Sequence, residues 1–331
     1  MLTIIFLRYL THLLLLSILT VILISACNKT NDISITSYTK SVEDCRTVQH
    51  VMGSTCIPRN PQRVVTLDGL ENTWALGIRP IASTYITGFP QPKYLQGKVA
   101  KVESVGDFNN PNIEKILRLK PDLIVCSSGL KGIYQQLSYI APTVVLNIPY
   151  PPPSWKKQLE ELAQILDKEE VCKKLMDKYW QRVKKLKRAL NIGNASSQNK
   201  RRETIQVSIA NTASEYGIWS YGEKHPSGSV LKDIGLQRPS GQRGDFFYIE
   251  NISKETIFNI DGDILFFASW EREDDKKTLE KLKKSPLWSQ LKVFQRNQVY
   301  FVGAHWHGAD IFAINAILDD LEKYLVQDSR I

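Results

Sequence analysis

Reactive side chains are scarce in this sequence. Among 331 residues it holds only 5 histidines, 5 cysteines and 3 methionines. It has no Gly-x-Ser-x-Gly elbow, no His-Glu-x-x-His pair and no phosphate-binding P-loop, so the common hydrolase, zinc-protease and nucleotide signatures are missing. Acidic residues are outnumbered: 34 Asp and Glu face 43 Lys and Arg, for a net charge of +9. That surplus favours anionic partners, namely nucleic acid, anionic lipid or anionic small molecules, and says nothing of fold.

Charge is also absent from one long stretch. Between Arg8 and Lys29 no side chain carries one, and Leu10 to Ile24 is almost wholly apolar. The run is short and thinly flanked for a membrane span and reads as a signal peptide. It ends in Ile24-Ser25-Ala26-Cys27, which resembles the bacterial lipobox. The resemblance implies cleavage before Cys27, lipidation of its thiol and a mature N-terminus held at a membrane. Export in turn argues against a nucleic-acid partner. Cys45 and Cys56 flank a segment that reads as strand, turn at Gly53 and strand, and a bridge between them suits an oxidising compartment. Closing that loop is worth roughly 3 kcal/mol by chain entropy. Cys126 and Cys172 fall on apolar stretches and read as buried thiols.

The length favours two domains. Residues 28–41 are polar, as a tether should be. From Arg63 short apolar runs alternate with helical spacing: strands at Arg63–Leu67, Ile81–Thr84, Leu123–Cys126 and Thr143–Leu146, and helices at Glu71–Leu76, Ile113–Leu119 and Tyr134–Tyr139. Such alternation predicts a parallel sheet covered on both faces. After Pro151-Pro152-Pro153 the period becomes helical. Val171 to Leu190 reaches about 30 Å at 1.5 Å per residue, enough to join two lobes. Its other side carries Lys173, Lys174, Lys178, Arg182, Lys184, Lys185, Lys187 and Arg188, most simply a solvated face. Alternation resumes from Thr204, with strands at Thr204–Ala210, Leu265–Phe267 and Val299–Val302, helix Ser229–Ile234, and a closing helix Ile311–Val326. The expected division is a signal peptide over 1–26, tether and Cys45–Cys56 hairpin over 27–57, an N-terminal α/β lobe over 58–152, a helical region over 153–192 and a C-terminal α/β lobe over 193–331. The fold class is α/β: two similar lobes with short, mainly parallel sheets, joined by one long helix, with the ligand cleft between them.

The halves look related. Asn112 to Val125 aligns without gaps to Ser253 to Phe266, and each copy runs from a helix-capping residue through a first-turn glutamate, Glu114 or Glu255, to an aspartate, Asp122 or Asp263, and a buried strand. A first-turn carboxylate is favoured by the helix dipole, by roughly 0.3–1 kcal/mol. The motifs Asn60-Pro-Gln-Arg-Val-Val-Thr-Leu67, Val105-Gly-Asp107, Asn112 to Ile124, Gly235-Leu-Gln-Arg-Pro239 and Ala316-Ile-Leu-Asp-Asp-Leu321 resemble the iron-siderophore and vitamin-B12 binding proteins of ABC importers, over about residues 58–326. The resemblance implies two rigidly linked α/β lobes and a guest captured without catalysis. It also implies one permease-docking glutamate per lobe, at Glu114 and Glu255.

Ligands of open α/β sheets sit beyond the C-terminal strand ends. Tyr85, Tyr216, Trp219, Arg243, Trp270 and Trp306 fall after strands or in loops and are the expected pocket residues. Aromatic side chains would cover an organic shell, and the Arg243 guanidinium would reach carboxylate or hydroxamate oxygens. His305-Trp306-His307 has only Asp310 as a further ligand type nearby, so no metal site is expected. Iron enters only inside a preformed chelate, and no cofactor is expected. The expected function is delivery of a ferric siderophore to an ABC permease by a lipid-anchored, monomeric envelope protein. Haem or cobalamin is the alternative guest. An exported hydrolase using Ser127 or Ser128 is the alternative class.

Overall fold

Strands β3 (Val64–Thr66) and β7 (Leu123–Ser127) are mainly apolar, each ending in one hydroxyl residue, and are wholly buried, as strands covered on both faces are. They lie at the centre of a six-stranded sheet ordered β6-β5-β4-β3-β7-β8, with β4 at Ala82–Tyr85, β5 at Glu103–Asp107, β6 at Asn110–Pro111 and β8 at Thr143–Leu146. All pairs are parallel except β5 with β6. The computed structural model describes residues 45–87, 91–193, 205–212, 217–250, 252–253 and 256–327. Cys27, Tyr216 and Glu255 lie outside the described residues, as do the signal peptide and tether.

Helices α1 (Leu70–Ala75), α2 (Ile113–Leu119) and α3 (Tyr134–Ile140) cross between these strands. Asn112 caps α2 as its sequence predicts, accepting from the Lys115 amide at 2.9 Å. A hairpin of β1 (Cys45–His50) and β2 (Gly53–Pro58) precedes the sheet, and Cys45 and Cys56 are both disulfide-bonded. It turns at Val51 and Met52, two residues earlier than expected, and covers the β8 edge: the Val51 amide donates to the Val145 carbonyl and the Thr55 hydroxyl to that of Thr143.

The second sheet is ordered β11-β10-β9-β12-β13: β9 Val207–Thr212, β10 Ile218–Tyr221, β11 Tyr248–Ile249, β12 Ile264–Ala268 and β13 Val299–Val302. β9, β12 and β13 are parallel, whereas β10 and β11 are antiparallel additions. Trp219, expected after a strand or in a loop, sits inside β10, opposite Asn211. The duplicated segment diverges in its helix. Where the first copy forms α2, the described part of the second is a 3-10 turn over Ile257–Ile260.

Between the sheets run α4 (Trp155–Leu166) and α5 (Glu169–Ala189). Their apolar sides, with Leu159, Leu162, Tyr179, Val183 and Leu186, belong to one continuous core that takes in Val125 of the first sheet and Phe266 of the second. Polar ties reinforce it. Asp233 in α6 (Pro226–Ile234) pairs with Lys156 and accepts from the Tyr179 hydroxyl, and the Trp155 indole donates to Ser229 at 3.1 Å. A packed core has discrete arrangements rather than a soft hinge, so this joint is stiff. Helix α7 (Asp275–Lys283) covers the outer face of the second sheet, and α8 (Ile311–Leu321) lies in the shared core. No helix among the described residues is long and apolar enough to cross a membrane.

Candidate functional site

The parallel strands of both sheets end in loops that approach one another. In the first lobe β3 runs into Asp68 and the left-handed Gly69 (φ 75°), which starts α1. Burial raises the pKa of the Asp68 and Glu71 carboxyls, and the negative charge of Asp310 from the other lobe raises that of Glu71 further. β7 ends in Ser127 and Ser128. The Ser128 hydroxyl donates to the Ile148 carbonyl at 2.7 Å, and among the described residues no histidine hydrogen bond reaches either serine. Tyr85 closes β4 and is 52% exposed.

The second lobe presents a run of aromatic rings. Trp270, just past β12, stacks on His307 with centroids 3.6 Å apart and planes 3° off parallel. His307 Nδ1 bonds the Tyr221 hydroxyl, and Tyr221 stacks on His225 at 3.6 Å. His225 meets Phe247 at 4.9 Å, and Phe247 meets Tyr248. Tyr248 stacks on Trp219 at 4.9 Å and lies 6.2 Å from Tyr150 of the first lobe. Burial, aided by neighbouring cationic groups, pushes both imidazoles down, His307 to about 3, so they are neutral at physiological pH.

Hydrogen-bonding capacity is left over beside this wall. Arg238 is 3% exposed, and its Nη2 serves the Tyr221 carbonyl and Gln242. Its Nε and Nη1, both amide atoms of Asn211 and the Nε2 of His307 are buried without a partner among the described residues. Burial pulls the Arg238 guanidinium down to about 9. Buried polar groups left unpaired in a native fold call for an explanation.

The structure separates the expected pocket residues. Trp270 and Trp219 stand in the aromatic wall. Arg243 is exposed, and its Nε donates to the Arg238 carbonyl at 2.6 Å. Trp306 is a correction. It is 0% exposed, stacks on Phe266 at 4.4 Å and donates to Asp320 at 2.9 Å. Residues Ala304–His307 form a 3-10 turn that carries Trp306 into the core. The same turn parts the flanking histidines, since His305 pairs with Asp320 while His307 faces Tyr221. Tyr221, His225, Tyr248, Asn211 and Arg238 escaped sequence reasoning. The one signal available was Trp219 and Tyr221 two apart in an apolar alternation, which reads as a strand face. Glu114 is exposed in the first turn of α2.

Comparison with known proteins gives this geometry a context. The chain is 32% identical over 326 residues to the Bacillus subtilis protein described as a probable siderophore-binding lipoprotein, YfiY, covering 94% of this chain and 96% of that one. It is 32% identical over 272 residues to the achromobactin-binding periplasmic protein of Dickeya dadantii, covering 80% and 86%. The fold superposes on Staphylococcus aureus SirA complexed with staphyloferrin B with a TM-score of 0.68 at 27% identity, covering 85% of this chain and 98% of that one. Residues 75–305 match the family described as periplasmic binding protein, and the chain belongs to that family.

Proposed function

We propose that this chain captures a ferric siderophore between its lobes and hands it to an ABC permease, by binding and without catalysis. The aromatic wall carries the reading. Trp270, His307, Phe247, Tyr248 and Trp219 are half-buried and offer flat apolar faces to an organic chelate shell, with buried Tyr221 and His225 packed behind them. The unpaired donors of Arg238 and Asn211 suit a guest rich in oxygen acceptors. The relatives named for siderophore binding support the same guest class. Iron travels as part of the chelate, with no resident cofactor. The continuous core through α4 and α5 limits the change on binding to a small rocking.

The remaining parts of the proposal concern delivery. Cys27 is the lipidated residue, and it anchors a monomeric folded unit to a membrane. Glu114 and Glu255, matched by the internal duplication, present the loaded protein to the permease. The test is retention of iron. Purified protein is mixed with ferric chelates of the carboxylate, hydroxamate and catecholate classes, desalted and assayed for bound iron. The proposal expects stoichiometric retention of at least one class. Loss of every class on desalting contradicts it.

A further inference from the structure

Glu271 stands where three segments meet. Its backbone is left-handed, with φ 60°, a conformation disfavoured for any residue with a Cβ. The amide of Glu271 donates to the Ser269 hydroxyl at 2.8 Å, and that hydroxyl donates to buried Asp275 at 2.8 Å. Its carboxylate reaches two ways. Oε1 accepts from the Ala304 amide at 3.2 Å, in the loop after β13. Oε2 accepts from the Lys93 amide at 2.9 Å, in the 3-10 turn Lys93–Leu95 of the first lobe. Room for the carboxylate depends on Gly303, where a Cβ would lie 2.6 Å from Oε1. The neighbouring residue, Trp270, stacks on His307 in the aromatic wall. A second tie runs parallel: the Tyr94 hydroxyl donates to Asp310 Oδ2 at 2.8 Å, and Asp310 caps α8.

We infer that Glu271 is a positioning residue, which fixes the spacing of the cleft walls by clamping the Lys93 turn of one lobe to the Trp270 loop of the other. It touches no guest. It acts through Lys93 and Ala304, whose amides both donate to its carboxylate. The carboxylate is required because both partners are donors. An amide in its place would turn an NH2 group towards one of them and lose that bond. The left-handed backbone is held against its own preference by the Ser269 and Asp275 bonds, which aim the carboxylate out of its loop and across to the other lobe. Its purpose rests on the binding reading above, but its existence is testable without any ligand.

The experiment uses the full chain with Cys27→Ser to keep it soluble and spin labels at Tyr139→Cys and Lys284→Cys, both exposed and one in each lobe. The free cysteines Cys126 and Cys172 are buried and stay unlabelled. Pulsed dipolar spectroscopy reads the interlobe distance, and hydrogen exchange reads the Lys93 and Ala304 amides. Glu271→Gln is expected to broaden the distance distribution and speed exchange at one of the two amides at least 10-fold, with the melting temperature within a few degrees of the parent. Lys93→Pro removes only the donor, at a first-turn position where proline is tolerated, with Lys93→Ala as the side-chain control. It should broaden the distribution as Glu271→Gln does, and the pair together should add nothing further. An unchanged distribution in Glu271→Gln and Lys93→Pro overturns the inference, and so does simple addition in the double variant. Either failure leaves the binding proposal standing, because no ligand is present.

Discussion

Asp122 and Asp263 close their lobes in the same way. Arg63 donates its amide to Asp122 Oδ1 at 2.9 Å and accepts from the Asp122 amide at 3.1 Å. Gln206 donates to Asp263 Oδ2 at 2.9 Å and accepts from the Asp263 amide at 2.8 Å. In each lobe the aspartate that starts one central strand thus staples the start of its parallel neighbour, β7 to β3 and β12 to β9. The helices of the duplicated segment have diverged, but this bond pair has not. Asp122→Ala and Asp263→Ala should each cost about 1–2 kcal/mol, the worth of a charge-assisted acceptor of backbone amides. With no shared partner, the two losses should add in urea denaturation to within about 0.5 kcal/mol. A large non-additive term would mean that the lobes communicate through these sites.

The joint between the lobes depends on Asp233. Asp233→Ala leaves the Lys156 ammonium, with 24% side-chain exposure, and the Tyr179 hydroxyl without their acceptor. We expect a loss of about 2 kcal/mol, below the full cost of breaking a wholly buried pair because Lys156 and Asp233 keep some contact with solvent. Lys156→Met in the Asp233→Ala background should recover part of it. No recovery would show that the charge pair is not what holds α4 to α6.

Stability should fall in acid because of the buried imidazoles. The folded-state value for His307 is about 3, below the ordinary 6.5, and His225 is lowered as well. Between those values the unfolded chain takes up a proton that the folded chain refuses, so stability is lost as pH falls below 6.5. Each such group contributes a slope of up to about 1.4 kcal/mol per pH unit. His307→Phe should flatten the dependence between pH 6.5 and 5, measured by urea midpoints. An unaltered slope would remove His307 from the account.

Glu71 gives the opposite sign. Burial and the facing carboxylates Asp310 and Asp68 raise its pKa above the ordinary 4.5. The folded chain therefore keeps a proton that the unfolded chain releases, and stability declines as pH rises from 4.5 through the folded value. Glu71→Gln should be more stable than the parent at pH 8–9 and show little gain at pH 4. A uniform change across pH would contradict this assignment.

Much of the fold was legible locally. Helix Ile113–Leu119 and strands Thr143–Leu146 and Val299–Val302 fall where the pattern puts them, because short runs rich in β-branched and aromatic residues mark strands and apolar residues at helical spacing mark helices. The aromatic wall was only half legible. Trp219 and Trp270 stood out as residues, but the ring at Tyr248 joins them through the pairing of Tyr221 with Tyr248, a register that no local pattern carries. Trp306 misled because it follows β13 in a 3-10 turn that directs its side chain inward, a direction no local pattern carries. The Lys93–Glu271 bond joins positions 178 residues apart and has no sequence signal at all.

Delivery has its own test. Glu114 is exposed, so Glu114→Lys with Glu255→Lys should leave chelate affinity unchanged while abolishing transport into permease-bearing cells. Lost affinity, or uptake at the parent rate, would contradict docking by these residues.

Tryptophan emission tests the central claim most directly. A ferric siderophore lodged against Trp270 and Trp219 should quench it at micromolar concentration or tighter, and Trp270→Phe should remove a large share of that quenching with the fold intact. Emission that stays constant through carboxylate, hydroxamate and catecholate ferric chelates, or quenching that survives undiminished in Trp270→Phe and Trp219→Phe together, would contradict capture at this wall.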